Sequence, residues 1–180
     1  MSTVKEIPVN IKCIEYRQDD NDADYGSCLY ARFYFNLDNY ELSIISDCGN
    51  YAYRWGASEH ESFFELMARI SEDYLLEKLC GNPTEFNYEA TKARFYDYAN
   101  DEDDKKRLDK IFEEIESRYI PDNGETFAEM FEQENDGWWC VAWEFPVYEY
   151  SADKKRIVKV FKEHIQPYIK ETVKIENEAL

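Results

Sequence analysis

Two His, five Cys and 39 acidic residues are the side chains of this 180-residue chain best able to do chemistry. A Cys–His or Ser–His nucleophile would have to recruit His60 or His164. His60 stands between Glu59 and Glu61 at an expected helix start, and His164 lies beside Phe161 and Ile165 in a basic amphipathic stretch. Neither has a local partner of triad type, so no catalytic residue is assigned. Cys13, Cys28, Cys48, Cys80 and Cys140 are widely spaced with no C-x-x-C, which argues against a disulfide framework and a zinc ribbon. Cys13 and Cys140 fall in strand-like runs and read as buried, reduced thiols of a cytosolic protein. Asp20-x-Asp22-x-Asp24 suggests a calcium loop, but the EF-hand glycine and glutamate positions hold Tyr25 and Ala31. The run Asp101 to Asp104 fails the same test at Lys105. No glycine-rich phosphate cradle is present. With so many acids, any pair chosen for glycosidase chemistry is uninformative. The expectation is therefore a protein with no cofactor, no metal site and no enzymatic activity. A carboxylate-based metal-dependent enzyme is kept as an alternative.

Charge is the stronger signal. The balance of 21 basic against 39 acidic residues gives −18. Direct binding to free nucleic acid is not expected, because phosphate contacts need clustered Lys and Arg. From Asp97 to Asp136 there are 15 acids and five bases. Glu15 to Asp24, including Asp19, Asp20, Asp22 and Asp24, adds five acids against Arg17. Ser151 to Lys170 runs the other way, with six bases and two acids. Glu125, Glu129, Glu132 and Asp136 recur at i, i+4, i+7 and i+11, one helix face opposite Phe127, Met130 and Phe131. Asp109, Glu113 and Glu116 form a second file. Carboxylates so spaced have Cβ atoms ~5–6 Å apart, comparable to the step between successive phosphates of one strand. Such a comb can present a phosphate-like potential to a basic groove. The plainer alternative is a solvated acidic face that maintains solubility.

These side chains need elements to hold them. Ile7, Val9, Ile11 and Cys13 alternate with polar neighbours and predict a strand with that row buried. Leu29, Ala31, Phe33 and Phe35 predict a second strand, Tyr40, Leu42 and Ile44 a third, and Tyr51, Tyr53 and Trp55 a fourth. The turns Gln18–Gly26, Leu37–Asn39 and Asp47–Asn50 between them predict an antiparallel meander. Ser58 and Glu61 fit a capping box before a helix carrying Phe63 to Leu79. Tyr88–Tyr98, Lys105–Tyr119 and Glu125–Glu134 predict three further helices. Trp139, Val141, Trp143, Phe145 and Val147 predict a late fifth strand within Trp138–Tyr150. A long last helix starts at Ser151 and should kink at Pro167. Strands and helices are segregated, so the fold class expected is α+β: a β-meander packed against a helical block and a long C-terminal helix. One domain over 1–180 is expected, with 85–136 as a candidate helical subdomain. No apolar run approaches a membrane span, and residues 1–10 lack signal-peptide character. A cytoplasmic protein is expected.

The run Leu42-Ser-Ile-Ile-Ser-Asp-Cys-Gly-Asn-Tyr-Ala-Tyr-Arg-Trp-Gly56, with the helix to Leu79, resembles small acidic proteins of phages and mobile elements. Cys48 stands where that pattern would carry Trp. Anti-CRISPR proteins are found among such phage-borne proteins, and the resemblance implies that kind of membership. Charge and resemblance together lead to an expected non-enzymatic, phage-encoded inhibitor. Its partner would be a host nucleic-acid-handling enzyme, foremost a type II CRISPR effector nuclease. Asp109, Glu113, Glu116, Glu125, Glu129 and Glu132 would bind, with Asp19 to Asp24 as a second contact. The alternative is an interaction module using exposed Trp138, Tyr148 and Tyr150. The basic last helix could pair with an acidic face of a second copy, which would make a homodimer.

Overall fold

The computed structural model describes residues 4, 6–135, 137 and 142–178. It forms two compact units, one built from 1–82 and 152–180 and the other from 83–151. The α+β class and the four-stranded meander are both present.

In the first unit, β1 (Ile11–Arg17), β2 (Tyr30–Asn36), β3 (Glu41–Ser46) and β4 (Gly49–Arg54) pair in sequence order, each antiparallel to the next. The register sets Phe33 against Ile44 and Phe35 against Leu42, and all four are buried. Strand β1 inverts the expected face. Ile14 pairs with Phe33 and Tyr16 with Ala31, so its even-numbered residues join the buried side. Directly opposed residues share a face, and a one-residue slip exchanges the two faces. Ile7, Val9, Ile11 and Cys13 are consequently exposed, and Cys13 is not a core thiol. Leu29, just outside β2, is exposed as well.

Behind the sheet, the single helix expected over 63–79 is two: α1 (Phe63–Arg69) and α2 (Glu72–Cys80). The capping box is Ser62 with Glu65 rather than Ser58 with Glu61. Glu65 N donates to Ser62 Oγ at 3.2 Å and Ser62 N to Glu65 Oε2 at 2.6 Å. At the break, Ser71 caps α2 by accepting from Tyr74 N. The carbonyl of Ile70 takes Lys162 Nζ at 2.8 Å and Gln166 Nε2 at 2.9 Å, while that of Met67 takes Gln166 Nε2 at 3.0 Å. Carbonyls orphaned at the end of α1 are thereby satisfied. These donors come from the last rod: α6 (Ala152–Val160), a π-helical stretch (Phe161–Ile165) and α7 (Gln166–Glu178). Pro167 has no N–H to give the preceding turn, and the wider π turn lies where a kink was expected.

The second unit holds a short pair of strands, β5 (Glu85–Phe86) and β6 (Tyr148–Glu149), with α3 (Tyr88–Tyr98), α4 (Glu102–Arg118) and α5 (Gly124–Glu134). Its core is aromatic. Phe95 stacks on Phe131 at 4.4 Å and on Phe145 at 4.2 Å between ring centroids, and Phe112 and Phe127 pack edge-on and tilted around it. The long fifth strand is corrected. Residues 138–141 lie outside the described residues, Ala142–Glu144 is a 3-10 turn, and only Tyr148–Glu149 is extended. Phe145 leaves the alternation to fill the Phe95 pocket. Pro146 supplies no ladder N–H, and Val147 N bonds to Thr91 Oγ1 at 2.8 Å instead.

Candidate anionic docking surface

The second unit carries most of the charge: 19 acidic against 7 basic residues over 83–151, net −12, leaving −6 for the remainder. Helices α4 and α5 display that charge differently.

In α5, Asn123 is the N-cap and accepts from Thr126 N at 2.8 Å. Phe127, Ala128, Met130 and Phe131 are buried, so the helical phase turns Glu125, Glu129 and Glu132 outward, where all three are exposed. The helix contains no basic residue. Among the described residues none of the three makes an ion pair. Glu132 accepts the indole N–H of Trp143, itself 51% exposed. Half-buried Glu134 is taken by Arg118. Carboxylates three and four apart repel, and Glu132 sits in the last turn, where the helix dipole disfavours an anion. Asp136 falls outside the described residues.

Helix α4 is different because most of its acids are engaged locally. Asp101 caps the helix through Asp103 N and Asp104 N, both at 2.9 Å. Lys105 pairs with Glu102 at 2.9 Å and Lys106 with Asp103 at 3.2 Å. Asp109 accepts from the Tyr96 hydroxyl at 2.7 Å. Burial, and then the hydrogen bond to Asp109, push that phenol's pKa up. Glu116 receives Lys92 Nζ at 2.5 Å and the Tyr88 hydroxyl at 3.0 Å. The Lys92 bond, and after it Tyr88, hold the Glu116 carboxyl below the usual carboxylate range. Glu113 alone of the expected file is exposed and unpaired among the described residues.

The Asp19–Asp24 loop, in the first unit, is organised around Gln18. Its amide nitrogen donates to the Asp24 carbonyl at 3.0 Å, to Asp24 Oδ1 at 3.1 Å and to Ser27 Oγ at 3.2 Å, while its Oε1 accepts from Gly26 N at 2.9 Å. Asp19 closes its own turn on Asn21, and those bonds lower its pKa. Asp20 and Asp22 are exposed. Asp22 and Asp24 line a cavity of about 440 Å³ with Arg156, Lys159 and His164. Asp22 and Asp24 thus share a cavity with basic side chains, unlike the outer acids of α5. The His164 ring packs on Tyr16 at 4.8 Å between centroids. Of the aromatics considered for docking, Tyr148 is exposed, Tyr150 is half-buried and Trp138 lies outside the described residues.

One constellation escaped sequence reasoning. Cys28, Asp47 and Cys48 offer ligand atoms within 4.8 Å of one another. No short motif marks it; the hairpin register and the approach to β2 bring the three together.

A family model described as a phage family, Phage_phiTE_072, matches residues 7–171. The chain belongs to this phage family. No curated protein and no solved structure matches it. The family match supports the phage origin that the resemblance at residues 42–79 implied, and it covers residues 7–171. No helix among the described residues is long and apolar enough to cross a membrane.

Proposed function

We propose that this phage-family protein is a non-enzymatic anti-defence inhibitor whose anionic α5 face occupies the basic channel of a host nucleic-acid-handling protein. A guide-loaded type II CRISPR effector is the first candidate. One observation carries the reading: Glu125, Glu129 and Glu132 stand on one exposed face with no cationic partner among the described residues. Like charges at these spacings repel and Glu132 stands at the unfavourable end of the helix dipole, although Glu125 in the first turn is favoured by it, and this residual repulsion supports an external cation as the partner of the face. Glu113 extends the field, and Asp19, Asp20, Asp22 and Asp24 supply a weaker contact on the other unit. Asp109 and Glu116 contribute less, because Tyr96, Tyr88 and Lys92 already engage them. Exposed Trp143, beside Glu132, fits the anchoring aromatic of a protein interface.

The test is DNA cleavage by a purified, guide-loaded type II effector with increasing amounts of this protein. Inhibition is expected to weaken steeply between low and moderate salt. Changing Glu125, Glu129 and Glu132 together to Lys should remove it and leave the circular dichroism spectrum intact. Undiminished inhibition by the triple variant would end the mimicry reading. Salt-insensitive binding lost in Trp143→Ala would favour an aromatic interaction module instead, a reading that the 51% exposure of Trp143 supports.

A further inference from the structure

We propose that Cys28, Asp47 and Cys48 form a binding site for one thiophilic divalent cation of the zinc class. Asp47 and Cys48 are the two-residue tip of the hairpin joining β3 to β4, since Ser46 pairs with Gly49. That tip is fixed to the entry of β2: Leu29 N donates to Asp47 Oδ2 at 2.8 Å and Tyr30 N to Asp47 Oδ1 at 3.4 Å. The turn is also closed from within. Ser46 Oγ donates to the Gly49 carbonyl at 2.6 Å and the Tyr51 hydroxyl to the Cys48 carbonyl at 2.7 Å. Both thiols are buried, Cys28 at 1% and Cys48 at 3% exposure, whereas Asp47 is exposed and opens the cluster to solvent.

The chemistry of the donor set selects the ion. Two thiolates with one carboxylate suit zinc or cadmium and suit calcium or magnesium poorly. A tetrahedral zinc ion holding two sulfurs at about 2.3 Å spaces them by roughly 3.8 Å, inside the 4.8 Å limit within which these ligand atoms lie. Each Asp47 oxygen retains a lone pair beyond the one its backbone N–H uses, and those N–H bonds are the outer-shell support that holds a ligating carboxylate in place. Water would fill the fourth position. Cys48 Sγ donates to the Ser27 carbonyl at 3.2 Å and Cys28 Sγ to that of Tyr30 at 3.7 Å. Those thiol hydrogen bonds give way when the ion replaces the protons. The site ties residue 28 to residues 47 and 48, so occupancy should reinforce the β2–β3–β4 corner.

The experiment titrates the reduced, full-length protein with Cd²⁺ alone, reading the sulfur-to-cadmium charge-transfer absorption, with Zn²⁺ as competitor. The expected result is saturation at one equivalent, loss of the band on adding Zn²⁺, and a melting temperature raised by either ion. Cys28→Ser and Cys48→Ser should each abolish the band, and Asp47→Asn should weaken binding about tenfold or more. No band at one equivalent in the wild-type protein would overturn the proposal, whatever the variants do. A band that survives both serine substitutions, carried by Cys13 or Cys80, would overturn it equally. So would a Cys28–Cys48 disulfide in protein that takes up no metal after reduction.

Discussion

Helices α4 and α5 lie on one aromatic core, and α4 carries seven acids with five bases where α5 carries four acids and no base, so they present different potentials. On α4 Glu102, Asp103, Asp109 and Glu116 meet Lys105, Lys106, Lys92 or phenol hydroxyls within hydrogen-bonding distance. On α5, a helix without a single basic residue, three outward glutamates have no counter-charge among the described residues. Counting acids along the chain therefore overstates one helix and understates the contrast between them. What a partner would meet is set by local pairing, and pairing depends on which helix packs beside which.

The contrast can be broken or sharpened in order of effect. Phe95 touches Phe112, Phe127, Phe131 and Phe145, so Phe95→Ala removes the support beneath both helices. A loss of about 3–5 kcal/mol is expected, read as a lower denaturation midpoint together with loss of the proposed inhibition. Gly124 opens α5, and a Cβ there would meet the Tyr148 hydroxyl and come within 2.9 Å of Pro146 Cβ. Gly124→Ala should cost about 1–3 kcal/mol by overpacking, with chemical denaturation as the measure. A smaller effect belongs to Glu116. Its folded pKa is depressed by Lys92 and Tyr88, so its stabilisation is present above the unfolded value of 4.5 and disappears as pH falls through the lower folded value. Glu116→Gln should lose roughly 0.2–1 kcal/mol at neutral pH, given its exposure. The two proteins should melt alike at strongly acid pH. Last comes Glu129→Gln, which relieves repulsion from Glu125 and Glu132. It should raise stability by about 0.2–0.5 kcal/mol while weakening inhibition, a pairing of signs that a merely structural glutamate would not give.

Much of this was legible in the residues. Phe33, Phe35, Leu42 and Ile44 alternate cleanly, and their strands pair as period and turn chemistry require. The outward phase of Glu125, Glu129 and Glu132 follows directly from Phe127, Met130 and Phe131. The sequence of strand β1 does not fix its buried side, because its two faces are nearly equally apolar and only pairing with β2 decides between them. The Trp138–Tyr150 run misled for another reason. Alternation was present, but Pro146 and the demand of Phe95 for a stacking partner override it. Partners distant in sequence were also invisible. The commitment of Glu116 to Lys92 and the meeting of Cys28 with Cys48 are products of the fold, and no spacing rule encodes them.

The outer edge of β1 has a colloidal consequence. Ile7 at 61%, Val9 at 46% and Ile11 at 49% exposure lie on and just before a strand that pairs on one side only among the described residues. Bare backbone donors and acceptors flanked by greasy side chains are a template for strand-to-strand growth. At neutral pH the charge of −18 makes neighbouring copies repel one another before such edges can meet. Acidification toward the isoelectric point near 4.5 removes that repulsion, and filaments seeded along this strand are the form in which the protein should then leave solution.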